Sequence, residues 1–192
     1  MAELLLFHHA LGLTAGCRAF ADDLRDAGHI VHTPDLYEGA TFSTLSDGVG
    51  HAERIGFDAI VARGRLAADG LPGDIVYAGF SLGVLPAQAL AQTRPGARGA
   101  LLLHSCVPPD ALGGPWPPGL PLQIHVMADD SWGDVDVARQ LGETIKGAEL
   151  FLYPGDRHLF TDRGLPDHDE AAAALVTRRV LAFLDSLVEP AP

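Results

Sequence analysis

The sequence predicts an α/β domain built on a doubly wound, mainly parallel sheet of about six strands, with helices on both faces and no lid domain. Short apolar runs alternate with longer segments of helical period, and several of these runs are continuous rather than alternating in polarity. The chain has 192 residues, of which 47% are hydrophobic and 20% charged. We therefore expect residues 1–192 to form one domain with a sizeable core.

The strands are predicted from six short apolar runs. Residues 75–77 and 101–103 are apolar throughout, which is typical of strands that are covered on both faces in a parallel sheet. Ligands of such sheets bind at the carboxyl ends of the strands. In chain order, the predicted strands span residues 3–8, 29–33, 74–79, 99–105, 121–127 and 148–153.

Five other segments have the patterning of helices. The first ends at Gly28, a residue type that readily adopts the left-handed conformation that closes helices. The second is expected to be interrupted at Gly50, Gly56 and Gly64, and the last carries a broad apolar stripe. The predicted helices span residues 14–27, 46–69, 82–93, 135–146 and 169–187, and the Pro- and Gly-rich stretch 107–120 is expected to border the carboxyl rim of the sheet.

Charge and cysteine content exclude several classes of protein. Lys and Arg number 13 against 25 Asp and Glu, a net charge of −12 without a basic cluster, so we expect neither nucleic acid nor a membrane as a partner. Two cysteines, Cys17 and Cys106, cannot build a disulfide framework, which favours a cytoplasmic location. The apolar residues 4–7 follow Glu3 and precede two histidines, which predicts neither a signal peptide nor a membrane helix.

The segment Gly79-Phe80-Ser81-Leu82-Gly83 matches the G-x-S-x-G pattern at the junction of a predicted strand and a predicted helix. This context is typical of a nucleophile elbow, a sharp turn that exposes the serine hydroxyl at the edge of the sheet. Glycines are needed on both sides because side chains there would collide with neighbouring elements. We therefore expect Ser81 to be a nucleophile, and an ordinary glycine-flanked turn is the alternative interpretation.

A serine hydroxyl is a poor nucleophile at neutral pH, so a histidine base and a carboxylate are expected at later strand ends. His158 lies in the loop after the sixth predicted strand and is the candidate base. Asp130 lies just after the fifth strand and is preferred as the acid, with Asp129 as the alternative. The chain order Ser, Asp, His is that of α/β-hydrolases.

Two backbone N–H groups are expected to stabilise the oxyanion that such a nucleophile creates. Leu82 follows the nucleophile and is predicted to supply one, and Ala10, after the first strand, is predicted to supply the other. His9, Phe80 and Trp132 are the candidates for lining a substrate pocket.

No metal or cofactor is expected. Adjacent residues of an extended strand face opposite ways, so His8 and His9 should not bind one ion together, and the sequence has no His-x-x-x-His cluster. Cys106 is expected to be a small buried hydrophobe. Trp116 is expected near the rim, and the acidic stretch 162–170 is interpreted as a solvated loop with a helix cap.

Together these features resemble the dienelactone hydrolase family, a small, lidless branch of the α/β-hydrolases. The resemblance covers residues 4–184 and implies hydrolysis of a lactone or ester through an acyl-enzyme, without a cofactor, with Ser81, Asp130 and His158 as the triad. Besides the elbow, the residues that carry it are Pro34-Asp35-Leu36-Tyr37, Ala128-Asp129-Asp130 and His158-Leu159-Phe160.

Three positions depart from the pattern of the family. Its well-known members have cysteine where this chain has Ser81, and a glutamate on the first-strand loop where this chain has His9. An arginine shortly after the family's histidine corresponds to Asp162, with Arg163 one step displaced. The thiol-switching mechanism of the family therefore does not transfer, and the case for dienelactone itself as the substrate is weakened. The family's amino-terminal β segment is expected to be absent.

The sequence thus predicts hydrolysis of a small ester or lactone. A small substrate is expected because no lid would enclose a long acyl chain, although two chains could complete a pocket as a homodimer. The alternatives are a non-catalytic protein of the same fold that binds a small ligand, and a thioesterase or peptidase.

Overall fold

A computed structural model describes residues 1–188 of the chain and contains a six-stranded sheet whose strands all run parallel. The strand order is β2-β1-β3-β4-β5-β6, so the chain winds outward in both directions from β1 and β3. This arrangement confirms the predicted doubly wound sheet. The strands are β1 (Glu3–Phe7), β2 (Ile30–His32), β3 (Val76–Phe80), β4 (Gly99–Leu103), β5 (Leu122–Met127) and β6 (Glu149–Tyr153).

Helices cover both faces of the sheet. They are α1 (Ala15–Asp26), α2 (Leu45–Ile55), α3 (Phe57–Ala68), α4 (Val84–Thr93), α5 (Val135–Thr144) and α6 (Glu170–Ser186). One core lies between the sheet and α3, α4 and α5, and the other lies between the sheet and α1 and α6. Among the helices of residues 1–188, none is long and apolar enough to cross a membrane.

The continuous apolar strands result from these two cores. In β1, Leu4 and Leu6 point to the core beneath α1 and α6, whereas Leu5 and Phe7 point to the core beneath α3 and α4. All four side chains are at most 2% exposed. Burying one such side chain contributes about 1.5–3 kcal/mol, so a polar residue at any of these positions would weaken one core or the other.

The first helix begins and ends as its sequence predicts. The Thr14 side chain caps its start by accepting a hydrogen bond from the Cys17 N–H, at 3.1 Å. After α1, Gly28 takes a φ of +92° and its N–H bonds to the Arg25 carbonyl. The chain can then turn directly into β2.

The segment 46–69 corrects one expectation, because only Gly56 interrupts it. Gly56 has a φ of +91° and separates α2 from α3, whereas Gly50 and Gly64 lie inside these helices. A Cβ at Gly64 would overlap with Pro86 of α4 and lie 3.3 Å from the Phe7 ring. Gly64 is therefore a site of close helix packing rather than a break.

Two further element boundaries differ from the prediction. The helix after the elbow starts at Val84, because Ser81–Gly83 form a single 3₁₀ turn first. Strand β4 ends at Leu103, since His104 has a φ of +71° and leaves the extended conformation.

The stretch 107–120 contains a 3₁₀ turn, Pro109–Leu112, and is bound along α4. The Gln88 amide donates to the Val107 carbonyl at 2.7 Å. Trp116 is buried and its indole N–H donates to the carbonyl of Leu120, just before β5 begins. The expectation that Trp116 lies at the carboxyl rim is therefore wrong, because the segment carries it back to the amino end of the sheet.

Two glycine-to-alanine variants test the packing at Gly64. Gly64→Ala should lower the free energy of unfolding by about 1–3 kcal/mol, because its methyl group has no space against Pro86. The matched control is Gly50→Ala, whose Cβ would meet only the end of Arg54, at 3.6 Å. This control should raise the free energy of unfolding by up to about 1 kcal/mol through helix propensity. Urea unfolding measures both, and equal effects would contradict the role assigned to Gly64.

Candidate active site

The strand-to-helix turn at Ser81 holds its backbone in the left-handed region, with a φ of +48°. A Cβ at Gly79 would overlap with the Gly83 carbonyl, and a Cβ at Gly83 would lie 2.5 Å from the carbonyl oxygen of Phe7. Glycine is therefore required on both sides of the serine. A non-glycine residue in this conformation costs on the order of 1–3 kcal/mol, which the surrounding β3, β1 and α4 must offset.

A continuous hydrogen-bonded chain runs from Ser81 through His158 to Asp130. The Ser81 hydroxyl lies 2.7 Å from Nε2 of His158, and Nδ1 of the same ring lies 2.7 Å from Oδ2 of Asp130. Because an ionised carboxylate only accepts hydrogen bonds, Nδ1 carries the ring proton and Nε2 is free to accept from the serine. The three residues, separated by up to 77 positions, come from the loops after β3, β5 and β6.

Asp130 and Asp129 occupy different environments. Asp130 is 4% exposed, and its Oδ1 accepts a hydrogen bond from the Trp132 N–H at 2.9 Å, which holds the carboxylate in place. Asp129 is exposed, and its N–H bonds to the Gly155 carbonyl. Between the two candidates, the structure brings only Asp130 to His158.

His104 supports the loop that carries His158. Its ring lies 4.7 Å from the Phe160 ring and 6.1 Å from the His158 ring, between centroids. Its Nε2 hydrogen-bonds to the Thr161 hydroxyl at 2.7 Å. Burial lowers the pKa of His104 well below the usual histidine value, so the ring is neutral and acts through packing. Its place at the end of β4 was the available sequence signal.

The Ala10 backbone lies beside the elbow. In the sheet, Phe7 of β1 pairs with Gly79 of β3, so the loop after β1 meets the turn at Ser81. Ala10 is 2% exposed, and among residues 1–188 its N–H donates to no other residue. A buried N–H without a protein partner is available for a ligand oxygen. Leu82, the other predicted donor, lies in the 3₁₀ turn directly after Ser81.

The three predicted pocket residues lie in different environments. Trp132 is 52% exposed, with its ring 6.3 Å from that of His158. Phe80, by contrast, is 2% exposed and packs in the core against Phe20, at 5.1 Å between ring centroids. Phe80 is therefore corrected from pocket lining to core, because its side chain is buried in the core cluster beneath α1 and α6. His9 is likewise corrected from pocket lining to a buried position, because it is 1% exposed and faces Asp162.

Asp162 corrects a further expectation, because it is buried, whereas residues 163–170 are exposed or partly exposed as expected. Its side chain is 3% exposed and accepts hydrogen bonds from His9 Nε2 at 2.9 Å and from the Thr14 hydroxyl at 2.6 Å. Burial raises the pKa of Asp162, but the hydrogen bonds from His9, Thr14 and the Gly164 N–H outweigh it and hold the pKa below the usual value. The expected helix cap is Asp169, which accepts from the Ala172 N–H.

One cluster offers ligands of the types that bind zinc. The side-chain donor atoms of His9, Cys17 and Asp162 lie within 4.8 Å of one another, and all three residues are buried. The ring of His9 fits a metal poorly, because its Nδ1 accepts a hydrogen bond from the Leu11 N–H at 3.2 Å. A metal on Nε2 would require the ring proton on Nδ1, where it would face that N–H. Nε2 of His9 instead makes a hydrogen bond to the Asp162 carboxylate.

Neither cysteine is exposed to a substrate. Cys106 is fully buried, and burial together with the nearby Asp134 carboxylate raises its thiol pKa to about 12. Cys17 is 3% exposed, on the inner side of α1.

A model of the dienelactone hydrolase family matches residues 3–188 of the chain. The chain belongs to this family. The family resemblance seen in the sequence is thereby confirmed over nearly the whole chain. A comparison with curated proteins finds no match.

Solved structures with a similar fold come from the same family and from other α/β-hydrolases. A dienelactone hydrolase-like promiscuous phosphotriesterase from metagenomic libraries has a TM-score of 0.73 at 17% identity, covering 97% of this chain and 87% of that one. A dienelactone hydrolase from Anabaena variabilis has a TM-score of 0.70 at 16% identity, covering 97% and 86%. The mouse α/β hydrolase domain-containing protein 10 has a TM-score of 0.72 at 13% identity, covering 97% and 90%. At these identities the likeness concerns the fold.

Within the family pattern, the Pro34–Tyr37 motif serves the loop after β2. The Asp35 carboxylate accepts from the N–H groups of Tyr37 and Gly39, at 2.9 and 2.7 Å. His8 accepts from the Leu36 N–H at 3.0 Å, and burial lowers the pKa of this ring to about 4, so it stays neutral. The motif therefore shapes a turn against β1.

The departures at His9 and Asp162 turn out to be neighbours. Both were singled out in the sequence as departures from the family resemblance, and in this fold they bond to each other. Arg163, one step beyond, pairs on the surface with Asp23 of α1 and has 56% of its side chain exposed. The sequence alone did not connect the two positions, which lie 153 residues apart.

Proposed function

We propose that this protein is a serine hydrolase that cleaves small, uncharged esters or lactones through an acyl-enzyme. The observation that carries the proposal is the hydrogen-bonded chain from the Ser81 hydroxyl through His158 to Asp130, with 2.7 Å at each step. In this arrangement the histidine acts as a general base that removes the serine proton, which makes the weakly acidic hydroxyl a nucleophile.

The proposed reaction has two halves. Ser81 Oγ attacks the ester carbonyl carbon while its proton moves to Nε2 of His158. His158 then gives this proton to the leaving alkoxide, and the C–O bond breaks to leave an acyl-serine and a free alcohol. In the second half, water attacks the acyl carbon with His158 as base, and the released Ser81 takes the proton back. Throughout, Asp130 keeps the proton on Nδ1 and stabilises the imidazolium.

The oxyanion of each tetrahedral intermediate is assigned to the N–H groups of Leu82 and Ala10. The support for Ala10 is that the residue is buried and that its N–H donates to no group within residues 1–188. Removing one such donor in other enzymes costs about 3 kcal/mol of transition-state stabilisation.

The charge near the site favours a neutral substrate. Asp129, Asp134 and Asp156 are exposed on the loops after β5 and β6, which also carry Asp130 and His158. Arg163 is paired with Asp23 rather than turned toward the site. A substrate carboxylate would meet repulsion from this rim, because like charges at short range disfavour binding. In residues 1–188, no helical insertion covers Ser81, which favours a small acyl group.

Turnover of p-nitrophenyl acetate and butyrate, with lactones in parallel, tests the proposal. Ser81→Ala and His158→Ala should each lower kcat by about 10³-fold or more, because each removes a member of one catalytic unit. Cys106→Ala is the matched control and should keep the wild-type rate, since its thiol is buried and protonated. Labelling of Ser81 by a fluorophosphonate probe should be lost with Ser81→Ala. If the wild type neither turns over the substrates nor reacts with the probe, the non-catalytic binding protein is the better interpretation.

The neighbouring carboxylates Asp130 and Asp129 provide a paired test of the acid. Asp130→Asn should lower kcat by about 10⁴-fold, because an amide no longer fixes the proton on Nδ1 of His158. Asp129→Asn, which removes an exposed charge next to it, should change kcat by less than about 3-fold. Steady-state kinetics of both variants decide between the two residues, and a large loss with Asp129→Asn alone would reverse the assignment.

The sign of charge preferred by the site can be measured with two esters of equal size. An ester that carries a carboxylate on its acyl group should have a kcat/KM about 10-fold or more below that of its neutral isostere. Added salt should narrow this difference, because it screens the exposed carboxylates of the rim. A preference for the charged ester would contradict the proposed substrate class.

A further inference from the structure

His9, the residue before the proposed oxyanion donor Ala10, accepts two hydrogen bonds within the loop after β1. The Nδ1 atom of His9 accepts from the Leu11 N–H at 3.2 Å, and the His9 carbonyl accepts from the Gly12 N–H at 3.0 Å. These two bonds hold the backbone next to the Ala10 N–H. Only the first bond involves the ring, so a shift of the His9 ring would move the backbone at Leu11, one residue beyond Ala10.

The position of the His9 ring depends in turn on Asp162. The Oδ2 atom of Asp162 accepts from His9 Nε2 and from the hydroxyl of Thr14, and Oδ1 accepts from the Gly164 N–H at 2.8 Å. A Cβ at Gly16 would overlap with this carboxylate, so the start of α1 packs directly on it. Asp162 thus joins the loop after β1 to the loop that carries His158.

We propose that His9 and Asp162 form a second imidazole–carboxylate pair, one that positions the Ala10 N–H for the oxyanion. This inference rests on the proposed esterase function. His9 is a positioning residue rather than a catalytic one, because its ring is 1% exposed and both ring nitrogens are occupied within the protein. A shift of about 1 Å in an oxyanion donor can cost about 10²-fold in rate, so a buried contact one residue away matters for catalysis.

Two influences set the charge of His9. Burial lowers its pKa, but the contacts with Asp162 and Cys17 together outweigh burial and raise the pKa to about 9. The Leu11 N–H acts the other way, because an imidazolium has no lone pair at Nδ1 to accept its hydrogen bond. The geometry is that of the neutral ring, with the proton on Nε2 shared with Asp162.

Three substitutions separate the two bonds of the His9 ring. His9→Ala removes both and should lower kcat by about 10–100-fold while KM changes by less than about 3-fold. His9→Asn keeps an acceptor near the place of Nδ1 and should recover part of the loss. His9→Gln, which keeps only a donor toward Asp162, should recover less. The affinity for a boronic acid that forms a tetrahedral adduct with Ser81 should fall in step with kcat, a readout that a purely structural role would not move.

The matched control is His125→Gln, a change at a buried histidine of β5 that bonds to Tyr153 and Gln123. It should lower thermal stability as His9→Ala does but leave kcat within about 2-fold of the wild type. The proposal is overturned if His9→Ala keeps the wild-type kcat, or if both variants lose kcat and boronate affinity equally.

The ¹⁵N NMR signals of His9 test the pairing without any substrate. Nε2 should be protonated and Nδ1 unprotonated in the wild type at neutral pH, and Asp162→Asn should change this pattern. A proton on Nδ1 in an active enzyme overturns the positioning role alone. A wild type that is inert toward esters and fluorophosphonate overturns the proposed function and with it the catalytic role of the pair, even if the NMR pattern is as expected.

Discussion

The tight passage of β3 into α4 at Ser81 is the constraint on which the rest of the site depends. The left-handed backbone of Ser81 persists because Gly79 and Gly83 allow the strand, the helix and the carbonyl of Phe7 to approach without side chains between them. This close approach places β1 directly against the elbow. The loop after β1 therefore has its position set by backbone contacts before any polar side chain contributes.

Buried polar groups then join the loops that follow different strands. Asp130 is oriented by the Trp132 N–H, and Asp162 gathers His9 and Thr14. A buried polar group without a partner costs about 1–3 kcal/mol, so each of these side chains restricts its loop to the conformation that satisfies it. In this way a rigid sheet and a few buried hydrogen bonds organise a rim that is otherwise made of loops.

The parts of the molecule predicted from the sequence are those governed by local pattern. Continuous apolar runs predicted strands covered on both faces, and the G-x-S-x-G segment predicted a turn at Ser81. The helix of residues 46–69 was less predictable, because Gly56 and Gly64 look alike in sequence. Their difference arises from Pro86, on a helix about twenty positions away in the chain, which leaves Gly64 no room for a side chain.

The sequence by itself determined the alternation of strands and helices, the elbow and the order of its candidate serine, acid and base, since periodicity and glycine spacing act over a few residues. Only the tertiary structure placed Asp130, and not Asp129, beside His158 and moved Phe80 into the core. It alone brought Asp162 to His9, across 153 positions of the chain. The physical reason is that the burial and the hydrogen-bond partners of a loop residue depend on which other loops lie next to it. The order of strands in the sheet decides which loops are neighbours, and that order is a property of the whole fold.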